Sequence, residues 1–153
     1  MGETATISEL SSHLGYWMRF VSNHVSNSFS RKLESEGVTV AEWVLMRELY
    51  DAHSMSPSHL ADRLGMTRGA ITRLADRLIG KSLVTRNAHP EDGRAQILAL
   101  TRHGRKLVPK FASIADANDI EFFGKLPPND RESLMRILIK IVDQHELKIV
   151  PID

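Results

Sequence analysis

The chain has 153 residues, 42% of them hydrophobic and none of them cysteine, enough for one globular unit with its own core and without disulfides, thiolate metal sites or cysteine-based redox sensing. No apolar run approaches the roughly 20 residues of a membrane span, and Met1-Gly2-Glu3-Thr4-Ala5-Thr6 lacks the basic-then-apolar order of a secretion signal, so the expectation is a cytoplasmic protein with no membrane partner. The formal charge of +1 conceals an asymmetry, because residues 1–59 sum to −3, residues 60–110 to +7 and residues 111–153 to −3, as in a chain where one segment meets a polyanion.

Ile7, Leu10, Leu14, Trp17, Val21, Val25, Phe29 and Leu33 recur at steps of three and four, which predicts a long amphipathic helix over about 7–36 with Gly37 as its stop. Thr39 with Glu42 has capping-box spacing and opens a second helix, with Val40, Trp43, Val44 and Leu49 inward, ending near Ala52 or His53. Ser56-Pro57 is an N-cap followed by proline at the first helical position, and Leu60, Ala61 and Leu64 give that short helix its buried face before Gly65 ends it. Thr67 caps a fourth helix with Ile71, Leu74, Ala75 and Leu78 inward and Arg68, Gly69, Thr72, Arg73, Asp76 and Arg77 outward.

After Gly80 the period changes. Leu83–Arg86 and Gln96–Leu100 read as strands around the turn-rich segment His89–Arg94, forming a hairpin with a charged tip. Thr101 caps the next helix, whose stripe is Leu107, Phe111, Ile114 and Phe122 or Phe123, and Leu126-Pro127-Pro128-Asn129 interrupts it. Asn129 with Glu132 repeats the capping-box spacing, and Leu134, Ile137, Leu138, Ile141 and Val142 carry a last helix to about Leu147.

Two short helices around the Gly65-Met66 turn, followed by a hairpin, have the form of a winged helix-turn-helix within a mainly α fold. An α-helix fits the major groove of duplex DNA, and its N-terminal turn offers unpaired N–H groups and a favourable dipole to phosphate. Thr67, Arg68 and Gly69 sit on that turn. Arg73 and Arg77, one turn apart, suit phosphates or guanine edges, and Thr72 is short enough for a base methyl or backbone oxygen. At the hairpin tip, Arg94 suits the negative potential of a narrow minor groove. Asp92 is expected to form a wing salt bridge, with Arg77 or Arg86 as partner, whereas Asp76 is expected to orient an arginine.

The runs Leu60-Ala61-Asp62-Arg63-Leu64, Ile71-Thr72-Arg73-Leu74-Ala75-Asp76-Arg77-Leu78, Leu83-Val84-Thr85-Arg86, Asp92-Gly93-Arg94 and Leu100-Thr101-Arg102-His103-Gly104 together resemble the multiple-antibiotic-resistance regulator (MarR) family of bacterial transcription factors. The resemblance covers nearly the whole chain. It implies a winged-helix homodimer on a pseudo-palindromic operator, commonly released by a small phenolic or aromatic carboxylate ligand, with Thr72 and Arg73 in the major groove and Arg94 in the minor groove. One departure is Ser82, where relatives commonly carry glycine; Gly80 is then the candidate to absorb that turn.

Residues 37–101 are thus expected to form the DNA-binding lobe, and residues 1–36 and 102–153 a helical dimerisation region, whose apolar stripes exceed what the lobe can cover. A second stripe on the first helix, His13, Trp17, Phe20 and His24, is expected to face Trp43 and Arg47 and wall a pocket for a small aromatic acid. The seven histidines form no compact ligand motif, so neither a metal nor another cofactor is expected. No nucleophile elbow, phosphate loop or paired-carboxylate site suggests an enzyme. The alternatives to a ligand-responsive repressor are a winged-helix protein–protein interaction module, with its basic face on an acidic partner, and a metal-responsive regulator.

Overall fold

The computed structural model describes residues 5–152, so the first four residues, weighed above for a secretion signal, lie outside the described residues. A single 3-10 turn, Leu10–Ser12, precedes α1, Leu14–Glu34. The helix expected from residue 7 therefore starts later. Ile7 and Leu10 fit its period but are 88% and 74% exposed, and a helix end that buries no face has little to hold it. The turn is closed instead by Ser12 Oγ donating to Glu9 O and Trp17 Nε1 donating to Ser11 O.

The next three helices follow their caps. In α2, Val40–Ala52, the Glu42 N–H donates to Thr39 Oγ1 and the Thr39 N–H to Glu42 Oε1, closing the capping box. Ser56 Oγ accepts from the His59 N–H to start α3, Pro57–Leu64, which ends at Gly65 with φ +64°. Thr67 Oγ1 accepts from the Ala70 N–H to start α4, Arg68–Gly80. The inward residues of α3 and α4 are those read from the period, all buried.

Strands β1, Val84–Ala88, and β2, Gln96–Leu100, pair antiparallel, with Val84 opposite Leu100 and Ala88 opposite Gln96. β1 starts one residue later and ends two later than expected. Met55 adds a bridge to Leu98, through N–H to O bonds of 2.9 and 2.8 Å in the two directions. A lone residue between two serines carries no alternation, so this bridge had no signal in the sequence.

Thr101 caps α5, Arg102–Phe123, through the Gly104 N–H, while its hydroxyl donates to Ser82 O and its N–H to Leu83 O. Gly104 is required there because a Cβ would collide with the Leu83 carbonyl oxygen. α6 spans Pro128–Gln144. Its expected Asn129–Glu132 capping box does not form, since the helix begins at Pro128, whose fixed φ suits a first helical position, and the Asp130 and Arg131 N–H groups donate to Pro127 O.

The core runs from Leu33 through Leu45, Met46 and Leu49 to Leu60, Leu64, Ile71, Leu78, Leu98 and Phe111, so it joins the end of α1, the lobe and the first half of α5. Gly80 does not absorb the turn after α4. It is still helical, and Ser82 itself takes the left-handed conformation, φ +60°, that relatives' glycine would adopt more easily. The adjacent Lys81 Nζ donates to Gly37 O at 2.8 Å and to Glu42 Oε2 at 2.7 Å. The Glu42 carboxylate, 1% exposed, thus holds the start of α2 to the end of α4.

Candidate nucleic-acid interface

The outer face of α4 is a consequence of its inner one. With Ile71, Leu74, Ala75 and Leu78 pinned in the core, the 3.6-residue period turns Arg68, Gly69, Thr72, Arg73, Asp76 and Arg77 to solvent, and all six are exposed, as are Thr67 and Arg94. Among the described residues, Arg68, Arg73, Arg77 and Arg94 make no ion pair, whereas seven other cations of the chain do. The first turn of α4 adds N–H groups and the positive end of the helix dipole. Thr72 donates its hydroxyl to Arg68 O at 3.0 Å, which leaves its methyl and lone pairs outward.

The wing salt bridge expected at Asp92 is made elsewhere. Arg86 Nη2 donates to Asp76 Oδ1 at 2.8 Å, tying strand β1 to the outer face of α4 and neutralising the carboxylate that lies between Arg73 and Arg77. Asp92 instead accepts the backbone N–H of Arg94 at 3.1 Å, and the Ala95 N–H donates to Asp92 O, a compact turn that presents Arg94 at the tip. Asp76 is held on a helix packed directly against β1 and has no loop entropy to lose, so it wins over a carboxylate on the tip.

The expected ligand pocket is not assembled within the chain. Trp17 and Phe20 are each 50% exposed, and His24, also exposed, stacks on Phe20 and bonds Phe20 O on its own helix. Arg47 pairs with Asp51 and lies over the Tyr50 ring. Trp43 is buried edge-on against Phe111. The reason is that only the C-terminal half of α1, with Ser28 and Leu33 buried, packs on α2 and α5. A different cleft of about 270 Å³ results, where Trp43 is joined by Val25, Phe29, Val40, Val44 and Asn118. Asn118, 4% exposed, is fully engaged there, donating to Val25 O and accepting from Lys32 Nζ.

The helical arms leave large apolar side chains exposed. α6 buries none of its residues, and Ile137, Ile139, Ile141 and Val142 are 43–51% exposed, beside Trp17, Phe20 and Val21 of α1 in character. Among the described residues no group of three or more His, Cys, Asp or Glu could hold a metal ion, and no helix is long and apolar enough to cross a membrane.

Residues 38–95, which contain α2, α3, α4 and most of the wing, match the MarR family. The HTH-type transcriptional repressor Rv2887 of Mycobacterium tuberculosis is 27% identical over 128 residues, 84% of this chain and 92% of that protein. A structure of mutant Escherichia coli MarR complexed with operator DNA superposes with a TM-score of 0.75 at 24% identity, covering 84% of this chain and 93% of that one. Bordetella bronchiseptica BpsR, solved to explain regulation of its DNA binding by 6-hydroxynicotinic acid, gives a TM-score of 0.78 at 22% identity, covering 90% and 99%. The matched lobe and the capped helices that carry the motif residues lead to one statement: residues 38–95 match the MarR family, and the chain has the fold of the solved MarR structures.

Proposed function

We propose that the protein is a homodimeric, sequence-specific transcriptional regulator, a repressor that releases a pseudo-palindromic operator when a small aromatic or phenolic ligand binds. The observation that carries the reading is the set of exposed arginines without carboxylate partners on α4 and the wing tip, the two elements that would enter adjacent grooves. The Thr67, Arg68 and Gly69 turn meets phosphate, Thr72 and Arg73 meet base edges, Arg77 a phosphate and Arg94 the minor groove. Residues 37–101 act as the DNA-binding lobe, and residues 1–36 and 102–153 as the dimerisation region. The uncovered apolar face of α1 and α6 supports a dimer, which spaces two α4 helices for half-sites about 34 Å apart. That relatives include a repressor, an operator complex and a ligand-regulated DNA binder supports the same reading. The role is regulatory rather than enzymatic and is exercised in the cytoplasm, where duplex DNA is the partner.

Fluorescence anisotropy with duplex from the gene's own upstream region, at two salt concentrations, tests it. The slope of log K against log salt should steepen by about 0.9 per phosphate contact. Arg73→Ala should cost about 1–3 kcal/mol on the operator and far less on random duplex, and Arg94→Ala should weaken both, with a shallower salt slope. No preference over random duplex, or a flat salt dependence, overturns the reading and favours an acidic protein partner for the basic face. A thermal-shift screen of aromatic acids, 6-hydroxynicotinate included, tests the ligand half.

A further inference from the structure

The two long helices α1 and α5 change from buried to exposed at a shared level. Every described residue before Val25 is exposed, and Asn118 is the last buried residue of the described chain. On one side of this level Leu33, Val108 and Phe111 belong to the core of the lobe; on the other Trp17, Phe20, Val21 and Ile120 are uncovered. The two boundary residues are bonded to each other. Asn118 Nδ2 donates to Val25 O at 3.2 Å, and Asn118 Oδ1 accepts at 2.8 Å from Lys32 Nζ, which also pairs with Glu121. Among the described residues Asn118 is the only buried polar side chain of α5. Arg131 of α6 pairs with Asp119, the next residue, so α6 takes its position from α5 just beyond the same point.

We propose that Asn118 is a positioning residue: its bonds to Val25 O and Lys32 fix the offset and angle of α1 against α5 where the lobe ends and the arms begin, and so fix how far apart a dimer holds its two α4 helices. The proposal rests on the dimeric regulator reading and names the side chain that sets its half-site spacing. Apolar ridges and grooves fit one another at more than one offset, whereas a buried amide is satisfied at one, which is how a single polar residue specifies helix register. The leverage is sufficient. α1 runs about 16 Å beyond the junction, so a tilt of about 10° there moves its far end by roughly 3 Å, close to one base-pair step, and a two-fold dimer makes the displacement twice. Stability gains less from the same bonds. With leucine at 118, Val25 O keeps the bond that its place in α1 gives it and Lys32 keeps Glu121, so no buried group is left without a partner.

The chain has no cysteine, so Ala88→Cys at the exposed end of β1 gives each protomer one thiol for a nitroxide label, and double electron–electron resonance reads the distance between the two labels in the DNA-free dimer. The parent should show one narrow distribution. Asn118→Leu should broaden it while the midpoint of thermal unfolding holds, and Asn118→Ala, which adds no volume, repeats each measurement if leucine does not fit. If the loosened junction presents the operator spacing about one-tenth of the time, affinity for the upstream duplex falls about tenfold, since the apparent Kd is the intrinsic value divided by the competent fraction. Random-duplex affinity should hold, and one base pair inserted at the centre of the operator should cost the variant less than the parent. An unchanged distance distribution, whatever happens to affinity, overturns the role of Asn118 and leaves the regulator reading intact. A parent with a defined distance and no operator preference overturns the regulator reading, while the distances still decide the junction. A monomeric parent, with no distance to measure, overturns both.

Discussion

In the winged-helix lobe, Leu60, Leu64, Ile71 and Leu78 are each 1% exposed or less, whereas on α6 Ile137, Ile139 and Ile141 are 43–51% exposed, although both regions carry aliphatic residues at the same three- and four-residue steps. The lobe meets its own chain on its apolar side through α2, β2 and the start of α5. The arm meets its own chain only at the end of α5, where Arg131 pairs with Asp119, and buries none of its residues there. Equal amphipathicity therefore marks two different kinds of helix, one that completes a core and one that leaves its apolar face uncovered, as the dimer proposed above requires. The charge does not follow that division: the basic excess is confined to residues 60–110, which sum to +7, whereas residues 37–101 as a whole sum to only +1.

The largest effect should come from breaking the arm. Ile137→Asp with Ile141→Asp should yield a monomer by sedimentation, because burying each isoleucine is worth about 1.5–3 kcal/mol and a two-fold axis counts each loss twice. Operator binding should fall by orders of magnitude while the circular dichroism of the lobe remains; a persisting dimer, or a chain that unfolds, would break the contrast. Next is the Lys81–Glu42 link inside the lobe. Lys81→Met leaves the Glu42 carboxylate, 1% exposed, without its cation, and should cost about 1–3 kcal/mol in urea unfolding, below the 3–5 kcal/mol of a fully buried pair because the lysine faces solvent on one side. Glu42→Gln should cost less, since an amide oxygen can still accept the Thr39 N–H, and neither change should alter the dimer. The smallest effect is a gain. Ser82→Gly relieves a left-handed backbone at some cost in unfolded-chain entropy, so thermal unfolding should show a stabilisation of about 0.5–1 kcal/mol; no gain would mean that the surrounding Thr101–Ser82 bond already compensates the strain.

The lobe was legible because its determinants are local. Thr39, Ser56, Thr67 and Thr101 each cap a helix whose N–H lies three residues on, and spacing along the chain alone specifies such a bond. The outward arginines of α4 were legible for the same reason, since once four aliphatic positions face inward the rest have no choice. Ile7 and Leu10 had the right period and no helix, because period states what a helix would bury and not whether anything is there to bury it.

What the sequence by itself determined is the set of main elements, the caps of α2 to α5, the basic face and the surplus of apolar surface at both ends, all properties of residues within about one helical turn of each other. Tertiary structure decided the partners. Arg86 had Asp76 and Asp92 as chemically equal candidates, and the packing of β1 against α4 selected Asp76. Trp43 could have faced Trp17 or Phe111, and the contact of only the C-terminal half of α1 with α2 and α5 selected Phe111. Leu64 and Val150 are brought together from positions far apart in the sequence. Pairings of this kind depend on where whole elements come to rest, and that position is set by the summed packing of the core rather than by any residue near the pair.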